Sequence, residues 1–179
     1  MRRVAFSATI LIIASVCTMG QGLGRAIGIN GAGEIKNKYD RFDDTTTVSL
    51  SFLQLNENSE QTLYLGLVNV YKGASPRQLP EKIAFSLMSA STVDYQLAAR
   101  SSLRAIADGE RVDLGNPTLI NTQRIDALFV QVTSVVVDYP SFKKIVNAKH
   151  VEMRLDNTEF SLSDTQLAKL RQFEAAIRP

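Results

Sequence analysis

From residue 45 to residue 162 the chain alternates apolar and polar positions in short runs, the period-two signature of half-buried strands. Residues 45–55 (TTTVSLSFLQL) set Val48, Leu50 and Phe52 in one phase and then shift to Leu53 and Leu55, which predicts a bulge or a strand end. A polar turn at 56–60 leads into residues 61–73, the expected hairpin partner. There Leu63, Leu65 and Leu67 occupy one face and Tyr64, Val68 and Val70 the other, so a central strand covered on both sides is expected. A proline-bounded loop (75–80) precedes the alternating run Ile83, Phe85, Leu87. Residues 103–115 read as a hairpin turning at Asp108-Gly109, a pair suited to the positive φ of tight primed turns. Residues 125–137 form the longest apolar run and are expected in the middle of the sheet. A last hairpin spans 150–162, with Val151, Met153 and Leu155 inward, Asp156-Asn157 turning, and Phe160 and Leu162 returning.

Two stretches break this rhythm with a helical one. Pro140 suits a first helical turn, and Phe142, Ile145 and Val146 then fall on one side. Ser163 followed by Gln166 makes a capping box, Asp164 favours the positive helix end, and Leu167, Leu170, Phe173 and Ile177 form a docking stripe. The expected fold is mainly β, an antiparallel sheet or β-sandwich with a short helix near 140–147 and a C-terminal helix near 164–177.

The first residues have another character. Arg2 and Arg3 precede 13 uncharged residues, Val4 to Val16, with small residues close behind. A charged start, an apolar core too short to span a bilayer and a small-residue cut site are the layout of a secretory signal peptide. Residues 1–20 are therefore expected to be a signal peptide cut after Gly20, giving an exported protein of the periplasm or the medium, with no transmembrane segment in the mature chain. Cys17 raises a lipid anchor, but Val16 is a poor neighbour for that cut, and no anchor is expected.

Export changes the charge. The 20 basic and 18 acidic side chains become equal once Arg2 and Arg3 leave, and a neutral chain lacks the footprint that nucleic acid demands. The only cysteine leaves too, so neither disulfides nor thiol chemistry is expected.

Gly22, Gly24 and Gly28 follow an apolar run, and Asp43 stands 19 residues after Gly24, a loose match to a dinucleotide turn. GLGRAIG also resembles the loop of short-chain dehydrogenases, and Tyr139 with Lys143 their Tyr-x-x-x-Lys pair. The match fails on physical grounds. The strand it needs is the signal core, the helix it needs holds Gly28, Gly31 and Gly33 at about 1 kcal/mol each, and no strand-helix alternation follows. Residues 21–44 are instead expected to be a flexible glycine-rich lead to one β-rich domain over 45–179.

The segment 151–173 (VEMRLDNTEFSLSDTQLAKLRQF), preceded by YPSFKKIVNAKH, resembles the closing part of uncharacterised exported bacterial proteins. The resemblance covers roughly the last 40 residues and implies an exported bacterial β-rich domain; it carries no activity with it.

Chemistry is sparse. His150 is the sole histidine, which excludes a histidine zinc cluster, and it reads as a surface residue at a strand edge. No Gly-x-Ser-x-Gly elbow presents a nucleophile. Asp40, Asp43 and Asp44 form an acidic cluster whose spacing is not that of a calcium loop, and a solvated turn is expected there. Asp94 with Tyr95, and Asp126, are sugar-site candidates only if the fold unites them, and Tyr64, Tyr71 and Tyr95 are either a binding face or core rim. No catalytic, cofactor-binding or metal-ligating residue is assigned. The expected function is a non-catalytic binding or structural module of the bacterial envelope or periplasm, with an unidentified macromolecular partner there. The competing class is a carboxylate-dependent hydrolase acting on an extracellular polymer, which requires two acids converging in one pocket.

Overall fold

A computed structural model describes residues 33–57, 61–92 and 102–179. Its strands and helices, in chain order, are β1 (Ile35–Asp40), β2 (Thr45–Glu57), β3 (Gln61–Lys72), β4 (Lys82–Ser91), β5 (Leu103–Ala107), β6 (Glu110–Gly115), β7 (Thr118–Ile125), β8 (Leu128–Asp138), α1 (Tyr139–Asn147), β9 (Val151–Leu155), β10 (Thr158–Ser161) and α2 (Asp164–Ala176). They form a six-stranded sheet in the order β1-β2-β3-β4-β8-β7 and a four-stranded sheet in the order β10-β9-β5-β6. Every strand pairing is antiparallel. The fold is therefore mainly β, with two sheets and two helices among the described residues.

Alternation in sequence becomes alternation of burial. In β5 and β9 every second residue is buried, and Leu103, Ala105, Ala107, Val151, Met153 and Leu155 face inward. They join Leu63, Leu65, Leu67, Ile83, Phe85 and Leu87 of the larger sheet in one apolar core that also takes the stripes of α1 and α2. β3 is buried on both faces because Tyr64 packs on the opposite side with Met88, Val130 and Val132. The phase shift of β2 is a pair of register shifts, between Leu50 and Leu53 and between Gln54 and Asn56.

Both helices start as their sequences predict. Asp138 caps α1 by accepting from the Ser141 N–H at 2.7 Å, with Pro140 in the first turn. Ser163 and Gln166 close the capping box of α2. The rings of Phe85, Phe142 and Phe173 then stack edge to face, at 5.8 Å and 6.2 Å between centroids, joining the large sheet to α1 and α1 to α2.

Three expectations are corrected. The lead does not run as far as residue 44: Ile35–Asp40 pairs along the whole of β1 with residues 45–50 of β2, although its four central side chains are exposed and so leave no apolar period. Residues 125–137 are not one strand. Ile125 ends β7, Asp126 turns with a φ of 52°, and β8 starts at Leu128. Nor is β8 the middle or the longest strand, since it lies one place from the edge and has 11 residues against 13 in β2. The edge strand β7 that covers it was invisible to a period-two reading, because most of its side chains are exposed. The signal segment 1–20, Cys17, the glycines from Gly22 to Gly31, and Asp94 with Tyr95 lie outside the described residues.

Candidate functional site

Tyr139 and Lys143, the pair that resembles a dehydrogenase motif, do converge, but on a buried carboxylate. One turn of α1 separates them, so both reach the same side of the helix. The Tyr139 hydroxyl donates to Glu174 Oε1 at 2.6 Å and Lys143 Nζ donates to the same oxygen at 2.8 Å. Arg178 Nε lies 3.1 Å from Oε2. Burial pushes the Glu174 carboxyl up, but the bonds from Lys143 and Tyr139 and the two cationic charges outweigh it, and its pKa falls below the ordinary range. Burial and the hydrogen bond to Glu174 drive the Tyr139 phenol up to about 12. With a neutral tyrosine and a saturated carboxylate, this cluster is a clamp between the helices. Together with the antiparallel sheets, it leaves the dehydrogenase reading without a structural basis.

The other sequence candidates are scattered. Asp40 Oδ1 accepts from the Phe42 N–H at 2.8 Å, and Asp44 Oδ1 accepts from the Tyr39 hydroxyl at 2.9 Å, so two of the three acids brace the β1–β2 turn. Among the described residues no group of three acidic, histidine or cysteine side chains is disposed to hold a metal ion. Tyr64 packs into the outer cluster of the large sheet while Tyr71 packs on the main core, so these two share no binding face. His150 is exposed, and its backbone N–H donates to Asp108 Oδ1 at 2.8 Å. That bond, with a second from the Lys149 N–H, holds the Asp108 carboxyl below its usual range. Asp126 sits in the β7–β8 turn.

The feature that presents chemistry to solvent is elsewhere. The outer face of the four-stranded sheet forms an open groove of about 750 Å³. Strand register sets its side chains in two rows across β10, β9, β5 and β6. The first row is Glu159, Arg154, Arg104 and Asp113; the second is Ser161, Glu152, Ile106 and Arg111. Arg154 and Glu159 approach to 3.6 Å as an exposed ion pair. Asp113 turns its Oδ1 back to the Gly115 N–H at 3.0 Å and makes no ion pair with Arg104, its register partner, among the described residues. Sequence reading missed these arginines. They stand in the polar phase of correctly read strands, but only the β5–β9 pairing sets Arg104 opposite Arg154, 50 positions away in the chain.

Comparison with protein-family models, curated proteins and solved structures gives no match. Among the described residues no helix is long and apolar enough to cross a membrane.

Proposed function

We propose that this chain is an exported, non-catalytic binding module of the bacterial envelope or periplasm, and that it binds through the groove on its four-stranded sheet. The groove, with three arginines on rigid strand positions, is the observation that carries the reading. The leader-like residues 1–20 support export. Among the described residues the two carboxyls displaced in pKa, Glu174 and Asp108, both move down and are already bonded to donors, the opposite of what a general acid needs.

The competing hydrolase would draw on Glu152 and Glu159, diagonal neighbours on adjacent strands and roughly 7–8 Å apart at the backbone. Glu159, however, is turned toward Arg154.

Co-sedimentation with purified envelope polymers, read beside release of soluble fragments, tests the two. Retention without release supports the module. Release that Glu152→Gln abolishes would establish the hydrolase instead. Intact mass settles export: a chain starting at Gln21 outside the cytoplasm supports it, and a cytoplasmic chain retaining Arg2 overturns it.

A further inference from the structure

We infer that the groove is a site for a sugar acid, a ligand whose single oxyanion sits among hydroxyl groups; this rests on the binding-module reading above. The argument starts from Arg104 and Arg154, which stand directly opposite each other on β5 and β9 and point to the same face. Like charges in that relation oppose each other, so the pair is a standing cost to the sheet. Neither arginine is well neutralised by the protein. Among the described residues Arg154 has only the exposed Glu159 at 3.6 Å, a kind of pair that contributes little. Arg104 has no ion-pair partner among the described residues, although Asp113 is its neighbour across the strands. A carboxylate or phosphate bridging the two guanidinium forks would turn the repulsion into two bidentate, charge-assisted contacts.

The rest of the lining says what carries that oxyanion. Glu159 and Asp113 close the first row at either end, and Glu152 and Ser161 stand in the second. A polyanion laid across the groove would meet three carboxylates, which disfavours nucleic acid and densely sulfated or phosphorylated chains. Hydroxyl groups flanking one anion meet the same carboxylates as hydrogen-bond acceptors. Ile106, 40% exposed between Glu152 and Arg111, gives an apolar footing for the C–H face of a ring. The volume, about 750 Å³, lies within the range of small-ligand clefts. A hydroxylated ring bearing one acid group meets all four features.

The test is a titration of the isotope-labelled whole chain with galacturonate, glucose 6-phosphate and galactose, followed by amide chemical shifts. Saturable shifts confined to residues 104–106, 111–113 and 152–154 are expected with one or both acids and not with galactose. The stronger of the two acids identifies the oxyanion as carboxylate or phosphate. Arg104→Gln should weaken binding at least about tenfold, with Arg104→Lys intermediate because it keeps charge but not the fork. Arg104 is exposed, so neither variant endangers the fold. Equal shifts with galactose, shifts indifferent to Arg104→Gln, or no saturable shift with either acid would overturn the assignment. If the acids fail but retention on an envelope polymer is lost in Arg104→Glu, the ligand class falls and the module stands. If retention is also indifferent to Arg104→Glu, both fall.

Discussion

Tyr139 opens one helix and Glu174 lies near the end of the other, and the hydroxyl of the first donates to the carboxylate of the second at 2.6 Å. The contact spans 35 residues and ties the sheet-to-helix junction at Asp138 to the C-terminal helix. Glu174 is 4% exposed, so its charge depends on the three donors around it. Tyr139→Phe removes one of them and leaves the ion pairs with Lys143 and Arg178. It is expected to cost about 1–2 kcal/mol. Glu174→Ala strands the buried hydroxyl and should cost more, about 2–3 kcal/mol, a loss limited because Lys143 and Arg178 can still reach water. Urea unfolding of the two variants checks both the sizes and their order.

The same cluster sets a pH window at each end. Glu174 titrates below its ordinary value of 4.5 when folded, so the unfolded chain takes up its proton first as pH falls. The stability it gives is complete above about pH 4.5 and is lost as pH drops through the folded-state value. Tyr139 works in the other direction. Its pKa rises from 10.0 to about 12, so its contribution holds below pH 10 and fades between there and pH 12. Stability curves for Glu174→Gln should lose that residue's share of the acid slope, leaving the share of Asp108, and those for Tyr139→Phe should be flatter at the alkaline end. An absorbance titration of the five tyrosines should show Tyr139 among the last to ionise.

What could be read in advance follows the physics of each contact. Hairpins turning at Asp108-Gly109 and Asp156-Asn157, the capping box at Ser163, and the inward faces of β5 and β9 all depend on residues close in sequence. β7 escaped because a strand exposed along most of its length carries no apolar period. β1 escaped because glycines nearby suggested a mobile lead, while its edge position needs little apolar surface. The groove depends on which strands lie side by side. Arg104 and Arg154 each look like ordinary outward residues until β5 and β9 are paired. Arg171 makes the same point, since its guanidinium donates to the carbonyls of Val146 and Ala148 and closes the end of α1 from α2.

Gln166 does more than cap a helix. Its Oε1 accepts from the Ser163 N–H at 2.7 Å, and its Nε2 donates to the carbonyls of Gln54 at 2.6 Å and Leu55 at 3.1 Å, where β2 shifts register. Ser163→Ala should cost about 1 kcal/mol, as loss of a cap does. Gln166→Glu keeps the capping oxygen but turns a second oxygen toward two carbonyls. It should therefore cost more than Ser163→Ala, about 2–3 kcal/mol at neutral pH. Part of that loss should return on acidification as the introduced carboxyl protonates. Thermal unfolding at pH 7 and pH 4.5 separates the cap from the crosslink.

Gly115 ends β6 with a φ of +94°, and a Cβ placed there would lie 3.2 Å from Val135 Cγ2, across the interface between the two sheets. Gly109, in the β5–β6 turn, has a similar φ of +87° but nothing within 4 Å. An alanine at either position bears the backbone penalty of the left-handed region, roughly 1 kcal/mol. At Gly115 it also presses on a buried valine, so Gly115→Ala should destabilise by about 2–3 kcal/mol and Gly109→Ala by about half that. A double-mutant cycle isolates the packing share. With Val135→Ala in the background, Gly115→Ala should cost no more than Gly109→Ala does. A full penalty persisting in that background would assign the whole effect to the backbone and remove the contact from the account.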